Sequence, residues 1–446
     1  MSDVHPMTPV ARFDASHYEG IDANLDAKAV APLVGMSPLF ITRVLGKKGT
    51  LGIDDVVCLL EQDAFRETFV PRSRVIDYLL RRPEVNLDKL PPVECDSYLV
   101  HGDVLSVLKM LPSGSVKCTV TSPPFWGMRA YDEERAVAWA DGEVCALGCE
   151  STPEGFVRHN IEILHELRSV MQIDGSIWWN IGDSYNTRGR IRGSSREINR
   201  SMAGRGEDRE YTSSRKRYSA GHSFLKDGDK CAIPSQIAHR AILIGYYLRA
   251  EIVWAKQNGL PEPRRSRTAR AHETILHLAL VRAPEFHHDA YFALSAERGG
   301  RNRSREPSRL TDVWSFPTTR GGGAHGAQFP VVLPARCIAL SSTPGELVLD
   351  PFVGSGTSCA AAINQDRRFI GVDVSAKYLW SARDRISRDI GVEVTVITLN
   401  PTNAAAPYSD SYVVFAHAVG GGETGICFQA LLNALSNSKE AATALP

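Results

Sequence analysis

The chain has 446 residues, room for two or three domains, and its 43% hydrophobic and 23% charged residues are ordinary for a globular protein. Fifty-one Lys and Arg balance 51 Asp and Glu, so there is no global polycation, and any affinity for nucleic acid must come from local charge. Nine cysteines are scattered without disulfide spacing, nothing at the N-terminus reads as a signal peptide, and no apolar run approaches the roughly 20 residues of a membrane span, so a cytoplasmic protein with reduced thiols and no membrane partner is expected.

Residues 1–24 are polar and read as a flexible terminus. Over 25–90 the pattern turns helical. AKAVAPLVGMSPLFITRVL has apolar positions at Val30, Val34, Ile41 and Val44, with Gly35 where a helix-turn-helix needs its tight turn and small Ala31 where two helices would touch. Further helices are expected over 53–61 and 72–81. An accessory DNA-binding module and a helical extension packed on the main domain both remain open. The prolines and charges of 81–92 read as a linker.

The main domain is expected over 95–395. Leu99-Val100 leads to His101-Gly102-Asp103, a helix over 104–111, a turn at Pro112-Ser113-Gly114 and a buried strand over 116–120. Next comes Thr121-Ser122-Pro123-Pro124-Phe125-Trp126. Two consecutive prolines fix φ twice and remove two N–H donors, so strand and helix both stop there. The result is a rigid corner at the carboxyl end of a strand, where open α/β sheets bind ligands. A helix over 156–171, a turn at Asp174-Gly175 and a strand over 176–181 follow, and this alternation argues for a mostly parallel sheet.

The segment 185–230 breaks that rhythm. From 186 to 230 it holds twelve Lys and Arg against six Asp and Glu, a net charge of +6, with Tyr211 and Tyr218 interleaved. It reads as a basic insertion that follows phosphates, through Arg188, Arg190, Arg192, Arg215 and Arg217. A helix over 234–247 and a strand over 248–254 resume the pattern. A basic loop with Arg264 and Arg267 precedes a buried strand over 274–280. Residues 283–325 are again arginine-rich, with Arg301 and Arg303, and read as a target-recognition region.

After a helix over 329–340, a short apolar strand ends in Asp350, and Pro351-Phe352-Val353-Gly354-Ser355-Gly356-Thr357 follows. A helix over 358–365 and a strand over 368–372, closed by Asp373, complete a βαβ unit. The glycines let backbone approach a ligand, and an acid placed as Asp373 is suits ribose hydroxyls. A dinucleotide loop would want glycine where Cys359 stands, and no Gly-Lys-Ser/Thr is present, so a nucleoside with an uncharged or cationic side arm fits best. S-adenosyl-L-methionine is such a ligand. Residues 396–446 read as a C-terminal extension.

With TSPPFW first and DPFVGSGT later, the chain resembles the permuted, beta-class amino-methyltransferases of DNA, most like the N4-cytosine-specific members of restriction–modification systems. The resemblance runs over 101–385 and includes NIGDSY at 180–185. It implies a Rossmann-like sheet with helices on both faces, S-adenosyl-L-methionine as methyl donor and double-stranded DNA as partner; monomer and homodimer stay open. It places catalysis at Ser122, Pro123, Pro124 and Phe125. It places the cofactor at Asp350, Phe352, Gly354, Ser355, Gly356, Thr357 and Asp373, with Asp103 near the adenine. Ser at the head of the motif leans toward cytosine N4, with adenine N6 as the alternative; a DNA-binding regulator acting through the N-terminal helices is the reading from another class.

The chemistry suits these residues. An exocyclic amine is a poor nucleophile, and acceptors such as the Ser122 hydroxyl and the Pro123 carbonyl can draw its protons and its geometry toward attack. Phe125 can stack on a base swung out of the duplex. A C5 methyltransferase would need a cysteine nucleophile, which the corner lacks. No metal is required, and Cys145 and Cys149, half a zinc pattern, are expected to be structural.

Overall fold

The computed structural model describes residues 25–26, 38–48, 50–60, 97–127, 136–139, 143–187, 222, 225–259, 266–302, 306, 308–318, 328–401 and 412–417. Its centre is a ten-stranded sheet. In chain order the sheet strands are β3 (Tyr98–His101), β4 (Val116–Thr121), β7 (Met171–Ile181), β8 (Tyr247–Lys256), β9 (His272–Ala279), β10 (Val313–Phe316), β11 (Leu347–Asp350), β12 (Arg368–Asp373), β13 (Thr395–Pro401) and β14 (Tyr412–His417). They lie side by side as β10-β8-β9-β7-β4-β11-β12-β3-β13-β14. The run from β7 to β13 is parallel throughout, β9 runs against both its neighbours, and β14 returns antiparallel at the edge.

Sequence explains the centre. Every residue of β4, VKCTVT, is buried, as expected of a strand covered by helices on both faces. One face is covered by α3 (Val104–Met110), α4 (Pro153–Val170) and α5 (Ile233–Leu243), whose Leu105, Leu108, Phe156, Ile163 and Ile237 enter a single core. The other carries α6 (His288–Ala293), α7 (Val332–Ser341), α8 (Thr357–Ile363) and α9 (Ala376–Ile390), contributing Tyr291, Leu333, Cys359 and Leu379. Each large apolar side chain fully removed from water contributes roughly 1.5–3 kcal/mol, so the two layers fix the sheet between them. Asp103 caps α3 by accepting from Ser106 N at 2.9 Å, and Thr152 caps α4 by accepting from Gly155 N at 3.1 Å.

From β4 the chain passes through α4 to β7 on one side; from β11 it passes through α8 to β12 on the other. The adjacent pair β4 and β11 is therefore the topological switch point, where the loops diverge and a crevice opens at the carboxyl ends.

Two expectations change, and one element is new. The stretch 25–90 is not purely helical: β1 (Leu25–Asp26) pairs antiparallel with β2 (Thr50–Leu51), alongside α1 (Pro38–Leu45) and α2 (Ile53–Leu60). A two-residue strand has no periodicity to read. Gly35 and the helix expected over 72–81 lie outside the described residues. Ile41, Leu51, Val56 and Leu59 join the same buried cluster as α3 to α5, which is the behaviour of a packed extension. Second, the sheet does not stop at residue 395, because β13 pairs parallel with β3 and β14 pairs with β13. The new element, a two-stranded hairpin of β5 (Val137–Ala138) and β6 (Val144–Cys145), stands between the corner and α4. The arginine-rich insertion leaves and rejoins the domain at one place, where Tyr185 and Lys230 form an antiparallel bridge.

Candidate active site

The two motifs meet at the switch point. Val348 and Leu349 of β11 pair with Cys118 and Thr119 of β4, so Asp350 and Thr121 end their strands together. The Thr121 hydroxyl donates to Asp350 Oδ1 at 2.5 Å, Phe352 N donates to the same oxygen at 3.0 Å, and the Ser358 hydroxyl donates to Oδ2. Burial pushes the Asp350 carboxyl up to about 6, against the opposing pull of these donors.

The glycine loop is shaped by backbone that other residues resist. Gly354 and Gly356 have φ of 51° and 77°, and a Cβ at 356 would lie 3.0 Å from the Ala382 Cβ of α9. Gly354 N donates to Asp373 Oδ2 and Ser375 N to Oδ1, each at 2.9 Å. Burial lifts Asp373 to about 6, and these amide bonds work against the shift. Each of its oxygens keeps a second lone pair, so the carboxylate can still accept from vicinal hydroxyls. Arg385 of α9 reaches the Ser355 carbonyl at 3.2 Å and the Thr357 hydroxyl at 3.3 Å. The Ser355 and Thr357 hydroxyls are thereby turned into the loop's own bracing. Phe352 stands half-buried, edge-on to Trp179 with ring centres 6.1 Å apart. Asp103 ends the neighbouring loop after β3. A backbone pared by left-handed glycines, an acid at a strand end and an adjacent aromatic ring fit an adenosyl group.

The corner after β4 is clamped from both sides. Trp126 is buried; its indole N–H donates to the Glu150 carbonyl at 3.0 Å, and its own carbonyl accepts from the Ser184 hydroxyl at 2.9 Å. Gly127 N donates to the Gly148 carbonyl at 2.8 Å. Phe125 lies against Gly182, where a Cβ would come within 2.6 Å of the Phe125 ring. Asn180, the polar residue in the otherwise apolar strand end IWWNI, donates from Nδ2 to Ser122 Oγ at 3.1 Å and to Glu273 Oε2 at 2.7 Å. Lys256 in turn pairs with Glu273 and sits 5.0 Å over the Trp254 ring. Asn180 Oδ1 is buried and has no partner among the described residues.

Beyond the corner, the Arg267 guanidinium stacks 3.7 Å over the Tyr185 ring, and Arg270 stands 5.6 Å from it while bonding the Asp183 carbonyl. Arg301 is held elsewhere, against Phe292 of α6 and the Glu306 carbonyl. Arg188, Arg190, Arg192, Arg215, Arg217, Arg264 and Arg303 lie outside the described residues. The chain reading missed Asn180, Glu273, Lys256, Tyr185 and Arg385 as members of the site. Asn180 and Tyr185 carried a signal, as the ends of the NIGDSY stretch that the resemblance includes.

Comparison with known proteins gives the family. Residues 116–384, more than half of the chain, match the DNA methylase family of N6 and N4 specificity. The type II methyltransferase M.Cfr9I of Citrobacter freundii is 34% identical over 318 residues, covering 70% of this chain and 94% of that protein. M.XycI of Xanthomonas campestris pv. cyanopsidis is 35% identical over 292 residues, covering 65% and 87%. Among solved structures, the cytosine-N4-specific PvuII DNA methyltransferase is similar at 16% identity and a TM-score of 0.45, covering 77% of this chain and 93% of that one. A proline corner and a glycine loop, distant in sequence and joined at one strand switch, thus belong to a member of the N6/N4 DNA methylase family, an S-adenosyl-L-methionine-dependent type II DNA methyltransferase of restriction–modification kind.

Proposed function

We propose that the protein methylates the exocyclic N4 of cytosine in double-stranded DNA, in the cytoplasm, as the protective half of a restriction–modification system. The observation that carries this reading is Ser122 at the head of the proline corner, with its oxygen oriented by Asn180. Serine leads the motif where the resemblance leans to N4, and the same acceptors serve an amine on either base.

The residues divide the work. Ser122 Oγ and the Pro123 carbonyl serve as acceptors for the amino protons, with Asn180 Nδ2 orienting the serine oxygen. Accepting those protons withdraws the amine from conjugation and localises its lone pair. Phe125 stacks on the extruded base, held at its height by Gly182. Asp373 orients the ribose of the donor, and Gly354 and Gly356 let the loop close on it. S-adenosyl-L-methionine supplies an electrophilic sulfonium methyl when bound. The corner residues would hold the amine in line with that methyl, the proton shed by the methylated amine would leave to solvent, and catalysis is by positioning and preorganised dipoles. Arg267 and Arg270, stacked at Tyr185, offer charge to the DNA backbone beside the corner.

Nucleoside analysis of duplex DNA methylated by the purified protein tests this. N4-methylcytosine is the expected product. N6-methyladenine would overturn the target base, and no methyl incorporation into DNA would overturn the reading entirely.

A further inference from the structure

The β5–β6 hairpin and the first turns of α4 enclose a group of side chains that methyl transfer does not use. One ligand atom from each of Glu143, Cys145 and His159 lies within 4.8 Å of the other two. Glu143 Oε2 stands 4.0 Å from His159 Nε2, beyond hydrogen-bond reach. Across a tetrahedral zinc ion, with Zn–N and Zn–O near 2.0 Å and Zn–S near 2.3 Å, such atoms sit roughly 3.3–3.6 Å apart. A modest contraction closes the group around a metal.

We propose that Glu143, Cys145 and His159 hold a structural zinc-type cation. The surroundings are those of a built site. His159 is buried, and its other ring nitrogen, Nδ1, meets the buried carboxylate of Glu150 at 3.0 Å. A carboxylate on the far nitrogen fixes the tautomer that leaves Nε2 as the electron-pair donor, the usual support of a metal-bound histidine. The second oxygen of Glu143 is likewise oriented, because Ser151 donates to Oε1 from its backbone N at 2.9 Å and from its hydroxyl at 3.0 Å. Trp139 stacks on the His159 ring at 4.1 Å with planes 7° apart, and its N–H holds the Cys145 carbonyl at 3.0 Å. In α4, Gly155 leaves room for the acid: a Cβ there would lie 2.9 Å from Glu143 Oε2.

The position gives the ion a task. The segment from Glu143 to Glu150 supplies the Gly148 and Glu150 carbonyls that clamp Gly127 and Trp126, immediately after the proline corner. Tying this segment to α4 braces the corner without touching the substrate. Cys145 is then one ligand of a site completed by a histidine fourteen residues along the chain and an acid just before it. The bland alternative is a His159–Glu150 pair buried against Trp139, which holds no metal.

The test uses the full-length protein, purified under reducing conditions without metal-affinity steps. Elemental analysis should find about one zinc per chain, and chelation should lower the thermal midpoint by several degrees. Cobalt added to the metal-depleted protein should give a thiolate-to-metal charge-transfer band, which Cys145→Ser diminishes. Wild-type protein that is folded, carries no zinc and gives no cobalt band overturns the proposal. A band unchanged in folded Cys145→Ser and Glu143→Gln variants overturns it as well.

Discussion

Asn180 holds Ser122: its Nδ2 lies 3.1 Å from the serine oxygen and 2.7 Å from Glu273 Oε2. The orientation is enforced, because an ionised carboxylate only accepts and so draws the NH2 edge of the amide toward it. Asn180→Asp would set a carboxylate against that of Glu273 and remove the donor that orients the Ser122 oxygen. The rate of methyl transfer in single turnover is expected to fall about 10²–10³-fold, the scale of a lost oriented dipole, with cofactor affinity nearly unchanged. Equal loss of both would mean that Asn180 shapes the whole crevice and not the amine site alone.

Gly182 sets the height of Phe125. Its substitution by Ala would place a methyl group 2.6 Å from the ring. The ring must then move off β7 and into the space a stacked base requires. Methylation should fall at least tenfold through weaker binding of target DNA, on the scale of base–aromatic stacking, about 1–3 kcal/mol. Fluorescence of 2-aminopurine at the target position would report the lost stacking directly.

Cofactor binding should depend on pH through Asp373, whose carboxyl burial lifts to about 6. The ionised form is the one that accepts two hydroxyl protons. Affinity for S-adenosyl-L-methionine should therefore hold above pH 6 and drop by up to about tenfold per unit below it. Asp373→Asn should flatten that dependence while lowering affinity overall, as calorimetry between pH 5 and 7.5 would reveal. The sign for stability is opposite. Asp350 and Asp373 are raised in the fold, so they cost nothing below the ordinary value of 3.8 and destabilise as pH rises from there through about 6.

Arg385 braces the glycine loop from outside the crevice. Arg385→Met keeps the packing of its stem and removes its charge-assisted hydrogen bonds. Affinity for the cofactor should weaken about tenfold. Glycine replacement is harsher: Gly356→Ala adds a left-handed strain of about 1–2 kcal/mol to a contact at 3.0 Å with Ala382. If Arg385→Met bound as tightly as the parent protein, the brace would be passive.

The two motifs were legible because each is a local interruption of a buried strand, by prolines in one and by glycines in the other. Their chemistry is carried by consecutive residues. Glu273 and Lys256 were not legible, since both lie in exposed-to-buried transitions of β9 and β8 and become neighbours of Asn180 only through strand pairing. Pairing across β7, β9 and β8 is long-range, and no periodicity encodes it. The short strands β1, β2, β5 and β6 were invisible for the opposite reason, each being two residues long. The sheet's continuation past residue 395 rests on a parallel match to β3, almost three hundred positions upstream.

The bridge between Tyr185 and Lys230 has a consequence for chain length. The segment between those residues begins and ends one strand spacing apart, and His222 within it also meets Glu154 of α4 at 2.8 Å. A loop anchored in this way can be lengthened or exchanged at small entropic cost, each doubling adding only about 0.6 kcal/mol. The catalytic crevice, assembled from β4, β7, β11 and β12, is indifferent to such exchange. Changes of length between these anchors leave the strand order of the sheet as it is.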